Sequence, residues 1–129
     1  MTQDEMKMRT RQFALRVIRL VESLPKTKTS SILGGQLLRS ATSVGANYRA
    51  ACRAKSTADF INKLAIVEEE ADESIYWIEL LVESQQVKAQ LVENLLKEVD
   101  EILSIVVASI KTSKMKRNPK STIPNPKSR

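Results

Sequence analysis

Residues 60–82 read FINKLAIVEEEADESIYWIELLV, and one set of their apolar side chains recurs at steps of three and four residues. This spacing places the set on one side of an α-helix, whose turn holds about 3.6 residues. The preceding sequence, Ser56-Thr57-Ala58-Asp59, is typical of a helix start, because the serine caps free backbone N–H groups and the aspartate opposes the helix dipole. We predict a helix from this cap to about Glu83, with a core stripe of Phe60, Leu64, Val67, Ala71, Ile75, Ile78 and Val82.

The segments on either side of this helix have the same period. No proline occurs between Pro25 and Pro119, which excludes the turn-rich β-sandwiches and β-barrels. Only 4% of the 129 residues are aromatic, so we expect an aliphatic core. The predicted fold is all-α: an up-down-up-down antiparallel four-helix bundle over residues 1–113, followed by a disordered basic tail over residues 114–129. The remaining helices are predicted at about Gln3–Leu24, Ser31–Ala54 and Val87–Ser113.

Residue types that are absent or rare exclude several kinds of site. The sequence has no histidine, so it contains neither a Ser-His-Asp triad nor a histidine-ligated zinc site. Cys52 is the only cysteine, which excludes an internal disulfide and suits a reducing compartment. The start of the chain is polar, unlike a signal peptide, and no apolar run approaches the roughly 18 residues of a membrane span. We predict a cytoplasmic, non-enzymatic protein without a catalytic residue, metal, cofactor or membrane contact.

Charge is divided unevenly along the chain. Residues 1–63 contain 12 basic and 4 acidic side chains, whereas residues 64–113 contain 3 basic and 11 acidic ones. Residues 114–129 contain 6 basic side chains and no acidic one. The basic and acidic halves either neutralise each other within one chain or meet head to tail between subunits, and the sequence leaves both alternatives open.

Basic side chains of the first two predicted helices and of the tail form a candidate nucleic-acid site. Arg39, Arg49 and Arg53 fall within an arc of about 80° on helix two, so we expect them to project together. Contacts to phosphate position a nucleic acid without reading its bases, and we therefore expect weak sequence preference. The alternative is that these arginines form ion pairs with helices three and four. The complete candidate set is Arg16, Arg19, Arg39, Arg49, Arg53, Lys114, Lys116, Arg117 and Lys120.

A second apolar patch lies on another side of predicted helix three. A helix of a monomeric bundle needs one buried face, so the additional patch indicates a subunit interface or a partner surface. The predicted interface residues are Ile66, Trp77, Leu80 and Leu81. Glu69 and Glu73 stand one turn apart on the same helix, but one such pair supplies fewer oxygens than a hard cation prefers.

Residues 36–49, QLLRSATSVGANYR, resemble the signature of the intervening-sequence proteins, which are encoded in insertions within bacterial large-subunit ribosomal RNA genes and elsewhere in bacterial genomes. The similarity covers about residues 8–110 and continues through Lys55-Ser56, Asp59 to Leu64 and Glu69 to Trp77. Ala50 stands where relatives often carry glutamate. The resemblance implies a four-helix bundle that forms a ring-like homopentamer. It extends distantly to the accessory variability protein of diversity-generating retroelements, which binds nucleic acid and a reverse transcriptase through a basic surface.

These observations favour a non-enzymatic homo-oligomer that binds structured RNA or DNA by charge. The alternative is a scaffold for a nucleic-acid-processing partner such as a reverse transcriptase or nuclease, with Trp77 and Leu80 as anchors. An enzyme is the least favoured class, because small helical ribonucleases of toxin systems use an arginine–histidine pair and this sequence has no histidine. A metal-dependent nuclease would have to use the acidic stretch of helix three.

Overall fold

The computed structural model describes residues 1–117, which form four α-helices and no strand. The helices are α1 (Gln3–Ser23), α2 (Lys28–Cys52), α3 (Thr57–Glu83) and α4 (Ala89–Arg117). Helix α2 starts three residues before the predicted Ser31, because the hydroxyl of Thr27 accepts a hydrogen bond from the backbone of Ser30 and caps the helix. The predicted all-α class is confirmed.

Helix α4 continues past the predicted end of the bundle domain at Ser113. The assignment of Lys114, Lys116 and Arg117 to a disordered tail is therefore wrong, since all three lie in the last turn of α4. Lysine, methionine and arginine favour helices, and basic side chains stabilise the carbonyl end of a helix through its dipole. Lys120 and the predicted disorder of residues 118–129 lie outside the described residues.

The helices follow one another around the bundle, with each packed against the next and α4 in narrower contact with α1. Two contacts of α2 with α1 fix the antiparallel register of this pair. An ideal Cβ on Gly45 would lie 3.5 Å from the carbonyl oxygen of Thr10, whereas one on Gly34 would lie 3.1 Å from Leu24 Cδ1. Between α2 and α3, the buried hydroxyls of Ser40 and Ser74 are 2.9 Å apart. The predicted up-down-up-down topology agrees with these pairings.

The core is aliphatic apart from two aromatic residues, the fully buried Phe13 and Tyr48, which is 7% exposed. The predicted stripe of α3 is mainly right, because Leu64, Val67, Ala71 and Ile78 are fully buried. It is wider than predicted and also includes Leu81, which is 0% exposed. Leu81 was predicted at an exposed interface, and this is wrong because the residue lies on the edge of α3 that helps to fill the core.

The end of the bundle that holds the α3–α4 connection is tied by one side chain. Gln86 Oε1 accepts hydrogen bonds from the hydroxyls of Thr27 at 2.7 Å and Ser30 at 2.8 Å. Gln85, immediately before it, has a φ of 66°, a conformation that turns the chain toward α4. The α1–α2 and α3–α4 connections are therefore joined at this end.

Gly35 offers a direct test of helix propensity in α2. A Cβ at this position would meet no atom within 4 Å, so Gly35→Ala should lower the entropy of the unfolded chain without a clash. We expect a gain of about 0.5–1 kcal/mol in the free energy of unfolding. Thermal unfolding followed by circular dichroism checks this, with a Tm increase of about 2–4 °C expected.

Gly34→Ala is the matched control for this substitution. It changes the same residue type one position earlier, but its Cβ would press against Leu24 Cδ1 at 3.1 Å. We expect it to gain less than Gly35→Ala or to destabilise the protein. Equal gains at both positions would contradict the packing described here.

Candidate nucleic-acid interface

A groove of about 630 Å³ runs between α1 and α2 on the outside of the bundle. Small residues on both helices, among them Ala14, Gly45 and Ala46, let the backbones approach closely beneath it. The side chains that line it are Asp4, Lys7, Met8, Arg11, Ala14, Thr42, Gly45, Ala46, Arg49 and Arg53. The groove is therefore shallow and uncharged at its base, with charged side chains standing around it.

Four cations line this groove against one carboxylate. Lys7 and Arg11 are one turn apart on α1, and Arg53, the C-cap of α2, follows Arg49 by four residues, so the members of each pair lie on the same side of their helix. The Nζ atom of Lys7 lies 3.6 Å from Oδ1 of Asp4. Within residues 1–117, no carboxylate comes within 4 Å of the other three cations, which are all exposed. We call Lys7, Arg11, Arg49 and Arg53 the groove cluster.

A second cavity, of about 360 Å³, lies at the end of the bundle where α2 and α4 finish. It is lined by residues of all four helix ends, including Gln3, Cys52, Thr57 and Ser113. Lys55 and Lys116 stand at its edge, and Lys114 and Arg117 share the exposed last turn of α4. We call Lys55, Lys114, Lys116 and Arg117 the end cluster. It lies near the groove cluster because Arg53, the C-cap of α2, is two residues from Lys55.

The structure separates the arginines that were predicted to act together. Arg49 and Arg53 line the groove, but Arg39 binds Glu70 of α3 at 3.1 Å and also Glu73. Arg16 is half-buried on the α4 side of α1, where its charge helps to lower the pKa of Glu98. Arg19 is exposed but lines neither cavity.

Lys7 and Arg11 were not among the predicted site residues. A signal for them exists, because both pairs of the groove cluster have the spacing i and i+4. The antiparallel contact of Thr10 with Gly45 brings the two pairs opposite each other. Identifying them would have required that contact in addition to the spacing.

Ion pairs within the chain join the basic first half to the acidic second half. Arg9 Nε donates to Glu98 Oε2 at 2.7 Å and its Nη2 to Glu98 Oε1 at 2.9 Å, while Glu101 accepts a further bond from it. These bonds hold the pKa of Glu98 below its ordinary value. With the pairs of Arg39, neutralisation within one chain occurs at two helix contacts. Head-to-tail neutralisation between subunits stays a prediction.

The other side chains that could act in catalysis or bind a metal are either hydrogen-bonded or lie apart from one another. Burial raises the pKa of Tyr48, and the nearby Cys52 thiol raises it further, so the Tyr48 hydroxyl stays neutral. Glu73, which was considered above with Glu69 as a ligand of a cation, accepts hydrogen bonds from Arg39 and from Trp77 Nε1. In the described part of the chain, no three His, Cys, Asp or Glu side chains come together as metal ligands would.

The predicted interface patch on α3 is partly exposed. Ile66 is 37% exposed, Trp77 and Leu80 are half-buried, and Leu81 belongs to the core. Tyr76, which was not predicted there, is 52% exposed. Its ring packs edge-on against that of Trp77, with 5.1 Å between the ring centroids. The exposed apolar surface of α3 therefore includes this aromatic pair and, about three turns earlier on the helix, Ile66.

A model of the 23S rRNA-intervening sequence protein family matches residues 3–108. The chain belongs to this family. The match includes the whole groove cluster but stops before the basic last turn of α4. It confirms the resemblance seen in residues 36–49, whereas the distant similarity to the retroelement protein stays a prediction.

A solved relative of this intervening-sequence protein has the same fold. It is the crystal structure of a protein of unknown function from the S23 ribosomal protein family of Bacteroides thetaiotaomicron VPI-5482. The two chains are 37% identical with a TM-score of 0.80, over 86% of this chain and 99% of the other. Among curated proteins, no sequence matches the chain. None of the four helices in residues 1–117 has the length and apolar character of a membrane span.

Proposed function

We propose that this intervening-sequence protein binds structured RNA or DNA through backbone phosphates, as a non-enzymatic homo-oligomer with little sequence preference. One observation carries the proposal: the groove between α1 and α2 is lined by four cations, and three of them have no carboxylate partner within residues 1–117. Charges without partners on a concave surface attract an anionic ligand.

The chemistry of the groove cluster suits phosphodiester groups. Three of its four members are arginines, whose planar guanidinium groups donate two parallel hydrogen bonds to phosphate oxygens. The small residues at the base of the groove offer few side chains that could reach base edges. Binding of this kind depends on the charge and shape of the ligand, with little discrimination among sequences.

Self-association is a further part of the proposal. The family resemblance implies a ring-like homopentamer, and the exposed patch of Ile66 and Tyr76 on α3 offers an apolar surface for a subunit contact. In a closed ring every subunit would bring one groove cluster. Several grooves on one particle would raise the apparent affinity for a long nucleic acid above that of a single groove.

A salt titration tests the proposal. We expect fluorescence anisotropy of a labelled RNA hairpin and a labelled DNA duplex to show binding that weakens steeply with salt. Release of counterions contributes a slope of about −0.9 per phosphate neutralised, so the four cations of one groove cluster alone predict a slope of about −3 to −4 in log K against log[salt]. Contacts from the end cluster or from a second subunit make the slope steeper. A chain that ends at Arg117 should retain this slope, and light scattering of the same samples gives the oligomer mass.

Absence of binding by either chain at low salt would contradict the proposal. That result would favour the alternative of a scaffold for a nucleic-acid-processing partner, for which the patch of Ile66, Trp77 and Leu80 is the available surface. A flat salt dependence would also contradict phosphate recognition. Binding by the full chain alone would move the site to residues 118–129.

A further inference from the structure

We infer that the ligand of the groove is a double helix and not a single strand. This inference rests on the proposed function and adds the structural class of the nucleic acid. It depends on where the aromatic side chains lie, on how the two cation clusters are arranged, and on the charge next to the exposed aromatic pair.

The groove has no aromatic surface on which a base could stack. Phe13 and Tyr48 are buried in the core, and none of the five aromatic residues of the sequence lines the groove. Phe60 borders the end cavity, but it is half-buried and packs against the core. Proteins that bind single strands combine a basic channel with aromatic platforms, because stacking contributes about 1–3 kcal/mol per base. This groove offers charge alone.

The exposed aromatic pair is on a surface that repels phosphate. Tyr76 and Trp77 lie on α3, which contributes no residue to the groove. Trp77 Nε1 donates to the Glu73 carboxylate at 3.3 Å, and Asp72 and Glu79 are exposed on the same helix. A single strand that reached these rings would bring its phosphates against those carboxylates. The rings therefore do not replace the missing platform.

The cations are held in a fixed array that suits a stiff ligand of high charge density. The cations of both clusters stand on helices, except for Arg53, the C-cap of α2, and Lys55 in the α2–α3 connection, and both clusters lie at the same end of the bundle. A duplex carries one phosphate per about 1.7 Å of its axis, twice the density of one of its strands. It presents two rigid phosphate strands to the two clusters. A single strand would lose conformational freedom on the same array, without stacking to compensate.

The test compares duplex and single-stranded forms of one sequence with the full chain. Fluorescein-labelled 20-base-pair RNA and DNA duplexes and their separate strands, chosen without self-complementarity, are titrated at one salt concentration. We expect each duplex to bind at least 10-fold more tightly than its strands. The two duplexes should agree within about threefold, because both offer phosphates in two strands.

The outcomes separate this inference from the proposed function. Equal or tighter binding of the single strands would overturn the duplex inference while leaving nucleic-acid binding intact. Failure of every duplex and every strand to bind would overturn the proposed function itself. Phe60→Leu and Tyr76→Leu should leave the single-strand affinities unchanged, and a loss of more than fivefold in either variant would show stacking and overturn the inference.

Discussion

Replacement of Arg49 and Arg53 by glutamate should weaken nucleic-acid binding at least about 100-fold at 0.1 M salt. The double substitution removes two of the four groove cations and adds two anions at the same positions. A pair of unit charges in water at contact distance interacts by about 1 kcal/mol, so a change of four charges beside a phosphate strand amounts to about 4 kcal/mol. Screening at 0.1 M salt reduces this to about 3 kcal/mol, or a factor of about 100. Fluorescence anisotropy with a labelled duplex measures the change.

The control for this experiment has the same net charge. Arg19→Glu with Lys26→Glu alters two exposed cations of the basic half that line neither cavity. We expect it to reduce affinity less than tenfold, through the long-range field alone. Circular dichroism should show both variants folded, since all four side chains are exposed. Equal losses in the two variants would show that net charge, and not the groove, determines binding.

Replacement of Arg9 by methionine should destabilise the protein by about 2 kcal/mol. Arg9 and Glu98 are each about one-fifth exposed, and the substitution leaves that carboxylate beside α1 without its two hydrogen bonds. The expected cost lies between the values for exposed and fully buried ion pairs. Urea unfolding at pH 7 measures it. Arg19→Met, an exposed arginine on the same helix, should change stability by less than about 0.5 kcal/mol.

The same pair predicts how this difference depends on pH. The pKa of Glu98 is lowered in the folded protein, so its contribution is complete above the ordinary carboxyl value near 4.5 and is lost as pH falls through the folded value. The stability difference between the wild-type protein and Arg9→Met should therefore shrink below about pH 4.5. A difference that stayed constant down to pH 2 would show that packing of the arginine stem, and not its charge, holds α1 to α4.

The fold was predictable from the sequence because the pattern of the core repeats along the chain. The stripe of α3 contains residues such as Leu64, Val67 and Ala71 at helical spacing, and the structure buries them. The cap at Ser56 lies where its sequence predicted. The error at Leu81 has a physical cause, because α3 packs against both α2 and α4 and buries an arc wider than one stripe.

The candidate site was predictable only in part, because it depends on contacts between helices. The spacing of Arg49 and Arg53 identified the half of the groove on α2. The half on α1 needed the register of Thr10 against Gly45, which no local pattern specifies. Arg39 has a similar position on the helix wheel, yet the carboxylates of Glu70 and Glu73 lie within its reach. Whether a cation forms an ion pair within the chain or stays available to a ligand thus depends on the carboxylates of the neighbouring helix.

The narrow contact of α1 with α4 links the groove to the stability of the fold. Lys7 and Arg11 stand on α1, whose attachment to α4 depends on few contacts and on the Arg9 ion pairs. Because α1 packs more extensively on α2, the two halves of the groove cluster separate only when α1 leaves both neighbouring helices. A ligand that bridges Arg11 and Arg49 binds only the closed form, so its binding energy adds to the energy that holds α1 in the bundle. Binding of a ligand in the groove and packing of α1 in the bundle are therefore coupled, and each stabilises the other.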